Sequence, residues 1–416
     1  MRFVRNINKN DYKEFYSKFI PFSFMQSYEW GQFCIKGKKQ KPYYVGVVDD
    51  NNNILCASLI LKTSLPFGYS YFYSPRGFLI DYNDRDLLKF FTKELSKFLK
   101  SEKAIYLKFD PEIKYQTLDN NANIIDGDNN YELHNYLKSI GYIHQGFNKL
   151  YEKNQPRYTF MLNLTDDYES KMSKSFLKNI EKSKMYDLEF VVGNENDLDE
   201  FKRIYQMTKE RDNFAGYDLS YYEDFYKLFH KNNMAEIFLI KLYPNKIIDT
   251  LNKEMSDLLK QKNITKNENK LVKINKSIDK VNKDLEFFNK YKENTDGIIV
   301  SSHIMVFCNG LATALYAGSD KSFQSTFANN YMYYKKIEYA HSKGYKYLDL
   351  FGVTGDPNTT YKNLKGIYEF KKQLGGELVE FLGEYDLVSN KFMYNSLKIL
   401  LPLYRKMQRI KRKIKK

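Results

Sequence analysis

Residues 345–376 read YKYLDLFGVTGDPNTTYKNLKGIYEFKKQLGG. The apolar run at 345–351 predicts a buried strand. Beyond it the sequence predicts a glycine-punctuated loop, a short helical piece, and then Phe370-Lys371 just ahead of a Gly-Gly turn. A strand that opens into such a loop fixes its root on a rigid scaffold and lets the backbone approach a ligand closely. Lys371 is therefore the first candidate for chemistry.

Working outward, the same succession of strands and helices occurs twice. Upstream lie a helix at 326–343, strands at 310–318, 297–309 and 235–242, helices at 221–231 and 196–213, a strand at 188–193, a basic helix at 170–185 and a strand at 157–164. The first segment, to about Tyr151, has a helical pattern at 11–19. A second helix is capped by Ser27 and turns the only Trp, Trp30, inward. Strands at 43–48 and 54–61 flank an Asp/Asn turn, and an apolar run at 68–73 ends in Ser74-Pro75-Arg76-Gly77. An amphipathic helix at 84–101 then leads into a strand that stops at Asp110-Pro111-Glu112. Two α+β halves of like order predict a duplicated unit, although the letters do not repeat.

Residues 245–294 interrupt the second half. Apolar positions fall at Ile247, Leu251, Met255 and Leu258, then at Leu271, Ile274, Ile278, Val281, Leu285 and Phe288. Steps of three and four mark the seam of an antiparallel helical hairpin or coiled coil, with 263–269 as its tip. No strand uses that period, so the segment leaves the core as an arm. Its lysine-rich outer face suits solvent or RNA equally. At the other extreme, 391–416 sets Phe392, Leu397, Leu401 and Tyr404 among many Lys and Arg. A basic amphipathic helix of this kind suits an anionic bilayer, where each surface cation contributes ~1 kcal/mol, or serves as a solubilising tail.

The 416 residues are 43% hydrophobic and 17% aromatic, with 37 Tyr and 31 Phe, enough for two or three cores rich in ring surface. A net charge of +15 favours anionic partners: nucleic acid, phosphorylated precursors or an acidic membrane face. Cys34, Cys56 and Cys308 stand far apart in apolar contexts, which predicts reduced thiols in cytoplasm and no metal site or disulfide framework. Neither a signal-peptide run nor a span of about eighteen apolar residues occurs. The five His share no motif, and GxSxG, Walker and GxGxxG loops are all missing. That pattern argues against a covalent intermediate, nucleotide hydrolysis or dinucleotide redox, and no cofactor is expected.

Lys371, Arg76, Asp110 and clustered Tyr remain, a set suited to holding two anionic reactants and letting one attack the other. Asp110 would collect a proton from an attacking amine, and Lys371 would steady an oxyanion or a departing ribose oxygen. The same residues also fit a turn cap, a surface charge and a lysine snorkelling over an apolar wall.

In the order Trp30, Tyr73-Ser74-Pro75-Arg76-Gly77, Leu107-Lys108-Phe109-Asp110-Pro111-Glu112, Leu315-Tyr316-Ala317-Gly318-Ser319, Tyr347-Leu348-Asp349-Leu350-Phe351-Gly352 and Tyr368-Glu369-Phe370-Lys371, the chain resembles the FemABX peptidoglycan-bridge aminoacyltransferases. The resemblance implies two GNAT-like domains, 1–152 completed by 383–416, and 153–382, with the 245–294 arm inserted in the second. It implies transfer of an amino acid from aminoacyl-tRNA to the stem-peptide amine of a peptidoglycan precursor, building the interpeptide bridge at the inner membrane face. The acceptor would be lipid II or UDP-MurNAc-pentapeptide. It places Phe370 and Lys371 at the donor ester, Asp110 and Tyr316 in the acceptor cleft, and Tyr221 on substrate. Two departures matter. The family's phosphate-contacting lysine aligns nearer Cys34, which makes Lys36 a shifted candidate. Tyr217 stands where an enzyme for the nucleotide-linked precursor carries Arg, which favours lipid II. An inactive RNA- or membrane-associated scaffold of the same fold and an acyl-CoA-dependent N-acyltransferase are the alternatives.

Overall fold

The computed structural model describes residues 1–150, 154–212 and 216–399. Two sheets organise it. The first runs in the order Arg2–Val4, Lys41–Val48, Ile54–Ser64, Ser70–Ser74, Ala104–Phe109, Tyr385–Val388, Tyr142–His144. The second runs Lys114–Thr117, Glu377–Phe381, Tyr158–Asn163, Tyr347–Val353, Leu311–Ser319, Ile298–Cys308, Ala235–Leu242, Glu189–Val192.

The predicted duplication is visible in the strand pairing. In each half an antiparallel meander of three strands ends on a parallel partner: Ser70–Ser74 beside Ala104–Phe109, and Leu311–Ser319 beside Tyr347–Val353. A helix supplies each parallel crossover, Arg85–Ser101 in the first half and Ala328–Ser342 in the second. Both parallel strands therefore point their C-terminal ends the same way within their halves, which is where Asp110 and Phe351 lie.

The halves also exchange strands. Tyr385–Val388 enters the first sheet between Ala104–Phe109 and Tyr142–His144. There Lys108 bridges Glu384 and Asp386, both at 2.8 Å. In return Lys114–Thr117, which follows Asp110 in the chain, pairs with Glu377–Phe381 of the second sheet. The expected domain bounds do not anticipate the crossing of Lys114–Thr117, because Lys-Tyr-Gln-Thr carries no alternation that specifies a partner.

Three hydrophobic clusters fill the molecule. One lies between the first sheet and helix Arg85–Ser101, and a second lies under helix Ala328–Ser342 and the root of the arm. The third joins the halves: Phe24, Trp30 and Phe33 interlock with Phe225 and Phe229, with ring centroids 5.3–6.4 Å apart. Ring packing of this kind resists sliding, so the two halves are held in fixed register.

The arm consists of helices Pro244–Ile264 and Glu268–Asn289, packed against each other. Its tip is shorter than 263–269, because helix continues through Ile264 and Asn267 caps the second helix by accepting from Lys270 N. Ile247, Leu251, Val281 and Phe288 are buried at its root, whereas Leu259 and Ile264 are exposed. Of the basic C-terminal segment, 391–399 is helical, with Asn390 capping Met393 N. The remainder lies outside the described residues.

Candidate active site

The first wall of the candidate site is the turn Ser74-Pro75-Arg76-Gly77. Arg76 adopts a left-handed backbone (φ 55°), and a Cβ on Gly77 would stand 2.2 Å from Ser74 Oγ, so only glycine fits there. Gln26, fully buried, holds the turn: its Nε2 donates to Pro75 O (2.7 Å) and Leu59 O (3.2 Å), and its Oε1 accepts from Leu59 N (2.9 Å). Asp110, just past the parallel strand, accepts from Arg76 N (3.0 Å) and Tyr73 OH (3.1 Å). Burial pushes its carboxyl up to about 6, against the pull of the Arg76 guanidinium.

The second wall is built at the equivalent strand end. Phe351 is left-handed (φ 61°) and breaks the ladder to Tyr158–Asn163 between Asp349 and Gly352. At this break the carbonyls of Phe351 and Gly352 accept from Lys371 Nζ at 2.8 and 2.9 Å. Lys371 sits in the last turn of helix Lys362–Lys372, buried, with its ammonium drawn down to about 8 by desolvation and partly restored by Asp349. Asp349 itself accepts from Thr159 Oγ1 and from Phe351 N (2.7 Å). Phe370 packs edge-on to Tyr333 (4.9 Å), over whose face lies Lys336 Nζ (3.5 Å). Buried Lys336 bonds to His303 Nδ1 (3.0 Å), and burial together with Lys371 lowers its pKa well below the usual lysine value.

The walls touch. A Cβ on Gly352 would meet Pro156 Cβ at 2.7 Å, and the Pro156 carbonyl accepts from Arg76 Nη2 at 2.8 Å. Lys371, Gly352, Pro156, Arg76 and Asp110 thus form one connected path between the halves. Half-buried Glu112 accepts from Ser23 N (2.8 Å) and lies within the electrostatic influence of Arg76, Asp349 and Asp110. Burial pushes its carboxyl up to about 7; Arg76 opposes that rise and the two aspartates add to it.

Tyr316 and Tyr221 meet hydroxyl to hydroxyl at 3.5 Å, and Tyr217, half-exposed, stacks on Tyr221 at 3.8 Å. Tyr221 and Tyr316 pack on the same central cluster as Phe351. Lys36 points elsewhere: it is 77% exposed and pairs with Asp224 at 2.6 Å. Lys38 lies instead over Trp30 (4.6 Å) and Tyr217 (5.8 Å).

No activated nucleophile accompanies these groups among the described residues. Burial holds all three cysteine thiols at about 12, and His144 falls to about 4 for the same reason. No three His, Cys, Asp or Glu side chains gather as a metal-ligand set among the described residues, and no helix there is long and apolar enough to cross a membrane.

A family model described as the FemAB family matches residues 7–401. This chain belongs to the FemAB family. It is 27% identical over 384 residues to the lipid II:glycine glycyltransferase of Staphylococcus epidermidis, covering 88% of this chain and 89% of the relative. The protein of the same name from Staphylococcus aureus is 28% identical over 380 residues, covering 86% and 87%. The crystal structure of FemX superposes with a TM-score of 0.74 at 23% identity, over 95% of this chain and 100% of that one, a likeness of fold. The α+β architecture of two similar halves with an inserted helical arm, read from the sequence, is borne out, and the relatives that this FemAB chain resembles are named as glycyltransferases. The sequence by itself points to Asp110, Arg76 and Lys371 but gives no role to Gln26, Glu112 or Asp349, which hold them or act on their charge. Glu112 has a signal, a second carboxylate at the same strand end; Gln26 has none, because its partners lie 33 and 49 positions away.

Proposed function

We propose that this FemAB protein transfers an amino acid from aminoacyl-tRNA to the stem-peptide amine of lipid II, building the interpeptide bridge. The observation that carries the reading is the contact path from Lys371 through Gly352, Pro156 and Arg76 to Asp110, which joins carboxyls raised toward neutrality to a lysine lowered toward it, with no activated cysteine or histidine between them among the described residues. Such a site suits direct aminolysis. The amine nitrogen bonds to the ester carbonyl carbon, and the carbon–oxygen bond to the ribose breaks. One proton leaves nitrogen and one reaches the ribose oxygen. Asp110, or Glu112 in its ionised form, takes the first. Lys371 spends two of its three N–H groups on carbonyls and keeps the third, which stabilises the developing oxyanion and supplies the proton that the departing ribose oxygen takes up.

Lipid II as acceptor is supported by the names of the relatives and by tyrosine at position 217. A tRNA donor is supported by the net charge of +15 and the lysine-rich arm. Incubation with lipid II and individually charged tRNAs tests this. Expected is a stem peptide extended by one residue. Binding of both substrates without product would mean a scaffold, and turnover of an acyl-CoA instead would mean a different donor.

A further inference from the structure

At the end of the first sheet remote from Asp110, the loop 65–69 joins strands Ile54–Ser64 and Ser70–Ser74, and its tip is Pro66-Phe67-Gly68. Phe67 is 95% exposed and held in a left-handed conformation (φ 61°) that β-region alternatives would avoid. An aromatic ring kept in water on a strained backbone calls for a partner. The loop is not slack: Leu65 N donates to Tyr69 O (2.8 Å) and Ser70 N to Lys103 O (3.2 Å).

A second exposed ring stands at the same end. Ser70 pairs in register with Ala104, and Ser389 bonds to the carbonyls of Ala104 and Ile105, so the helix that begins at 391 starts beside the loop's root. Phe392, 78% exposed, is in its first turn. Tyr71, Tyr106 and Tyr394 form a ladder behind the two rings, with centroids 5.6 and 5.5 Å apart. The charge around them has one sign. Lys100, Lys103 and Lys391 are exposed, while Glu102 is neutralised by Lys62 at 2.8 Å. The same helix leads into residues 400–416, which carry eight Lys or Arg and no Asp or Glu.

We infer that this end of the first half is a docking surface for an anionic lipid bilayer, with Phe67 and Phe392 entering the interface and the surrounding lysines resting on the headgroups. Apolar tips, a tyrosine layer and a lysine rim are the chemistry that lies in a bilayer interface. At ~3.3 Å per residue, the six residues of strand Ala104–Phe109 set Asp110 ~20 Å above that surface.

Sedimentation of the full chain with phosphatidylglycerol or phosphatidylcholine vesicles tests the inference with no donor or acceptor present, so its failure leaves the proposed reaction untouched. Expected is partition to the anionic vesicles that weakens with salt, reduced about tenfold by Phe67→Ser and similarly by Phe392→Ser. Both side chains are exposed, so the variants should unfold at the wild-type temperature. Wild-type partition by Phe67→Ser would overturn the inference, as would equal binding to both lipids. So would a concentration-dependent dimer that Phe67→Ser abolishes, since the ring would then serve a self-contact.

Discussion

The C-terminal ends of the two parallel strands, Ala104–Phe109 and Tyr347–Val353, occupy equivalent places in the two halves, yet they deliver opposite chemistry to one site. The first ends cleanly and places Asp110 and Glu112; the second breaks at a left-handed Phe351 and offers carbonyls that capture Lys371. Burial acts on both, and its sign depends on the charge. It pushes the carboxyls up to about 6 and about 7 and draws the lysine down to about 8, so three groups of very different ordinary acidity converge on neutral pH. One scaffold position, used twice with different residues, yields a proton acceptor and a proton donor.

The sharpest way to break this contrast is to remove each side in turn. Lys371→Ala should lower kcat by about 10²–10³-fold with little change in KM. Because it frees two buried carbonyls, stability is measured alongside, and an unchanged kcat would take Lys371 out of the reaction. Glu112→Gln should cost about 10²-fold in kcat. In the wild type, kcat/KM should rise with pH through the window between about 6 and about 7 and fall near 8, the limbs belonging to the coupled groups together. The Gln variant should flatten the acid limb and keep the alkaline one; a profile of unchanged shape would assign the proton to Asp110 instead.

Folding stability should report the same opposition. Carboxyls whose folded pKa lies above the unfolded value of ~4 hold protons that the unfolded chain releases, so their contribution is fully present below ~4 and is lost as pH rises toward about 7. Lys371, lowered in the folded state, reverses the slope between about 8 and ~10.4. Asp110→Asn should shallow the acid-side slope in denaturant titrations. Gln26→Ala should destabilise by about 1–3 kcal/mol, because Leu59 N and Pro75 O lose their buried partner. Smallest, Tyr316→Phe should raise the acceptor KM only about twofold, since its bond to Tyr221 is long.

Periodicity by itself determined the two α+β halves, the helical arm and the strand that roots the site, because burial on one face writes a repeat of 2 or 3.6 into the letters. Residue type alone argued against a nucleophile and singled out Lys371, Asp110 and Arg76. Tertiary structure decided which strands cross between the halves, that Gly352 and Pro156 bring the walls into contact, that Lys36 pairs with Asp224, and that Glu112 lies within the electrostatic influence of Arg76. Those outcomes rest on partners tens to hundreds of positions apart and on the water they exclude. Desolvation belongs to the assembled site, so no local reading of the chain contains it.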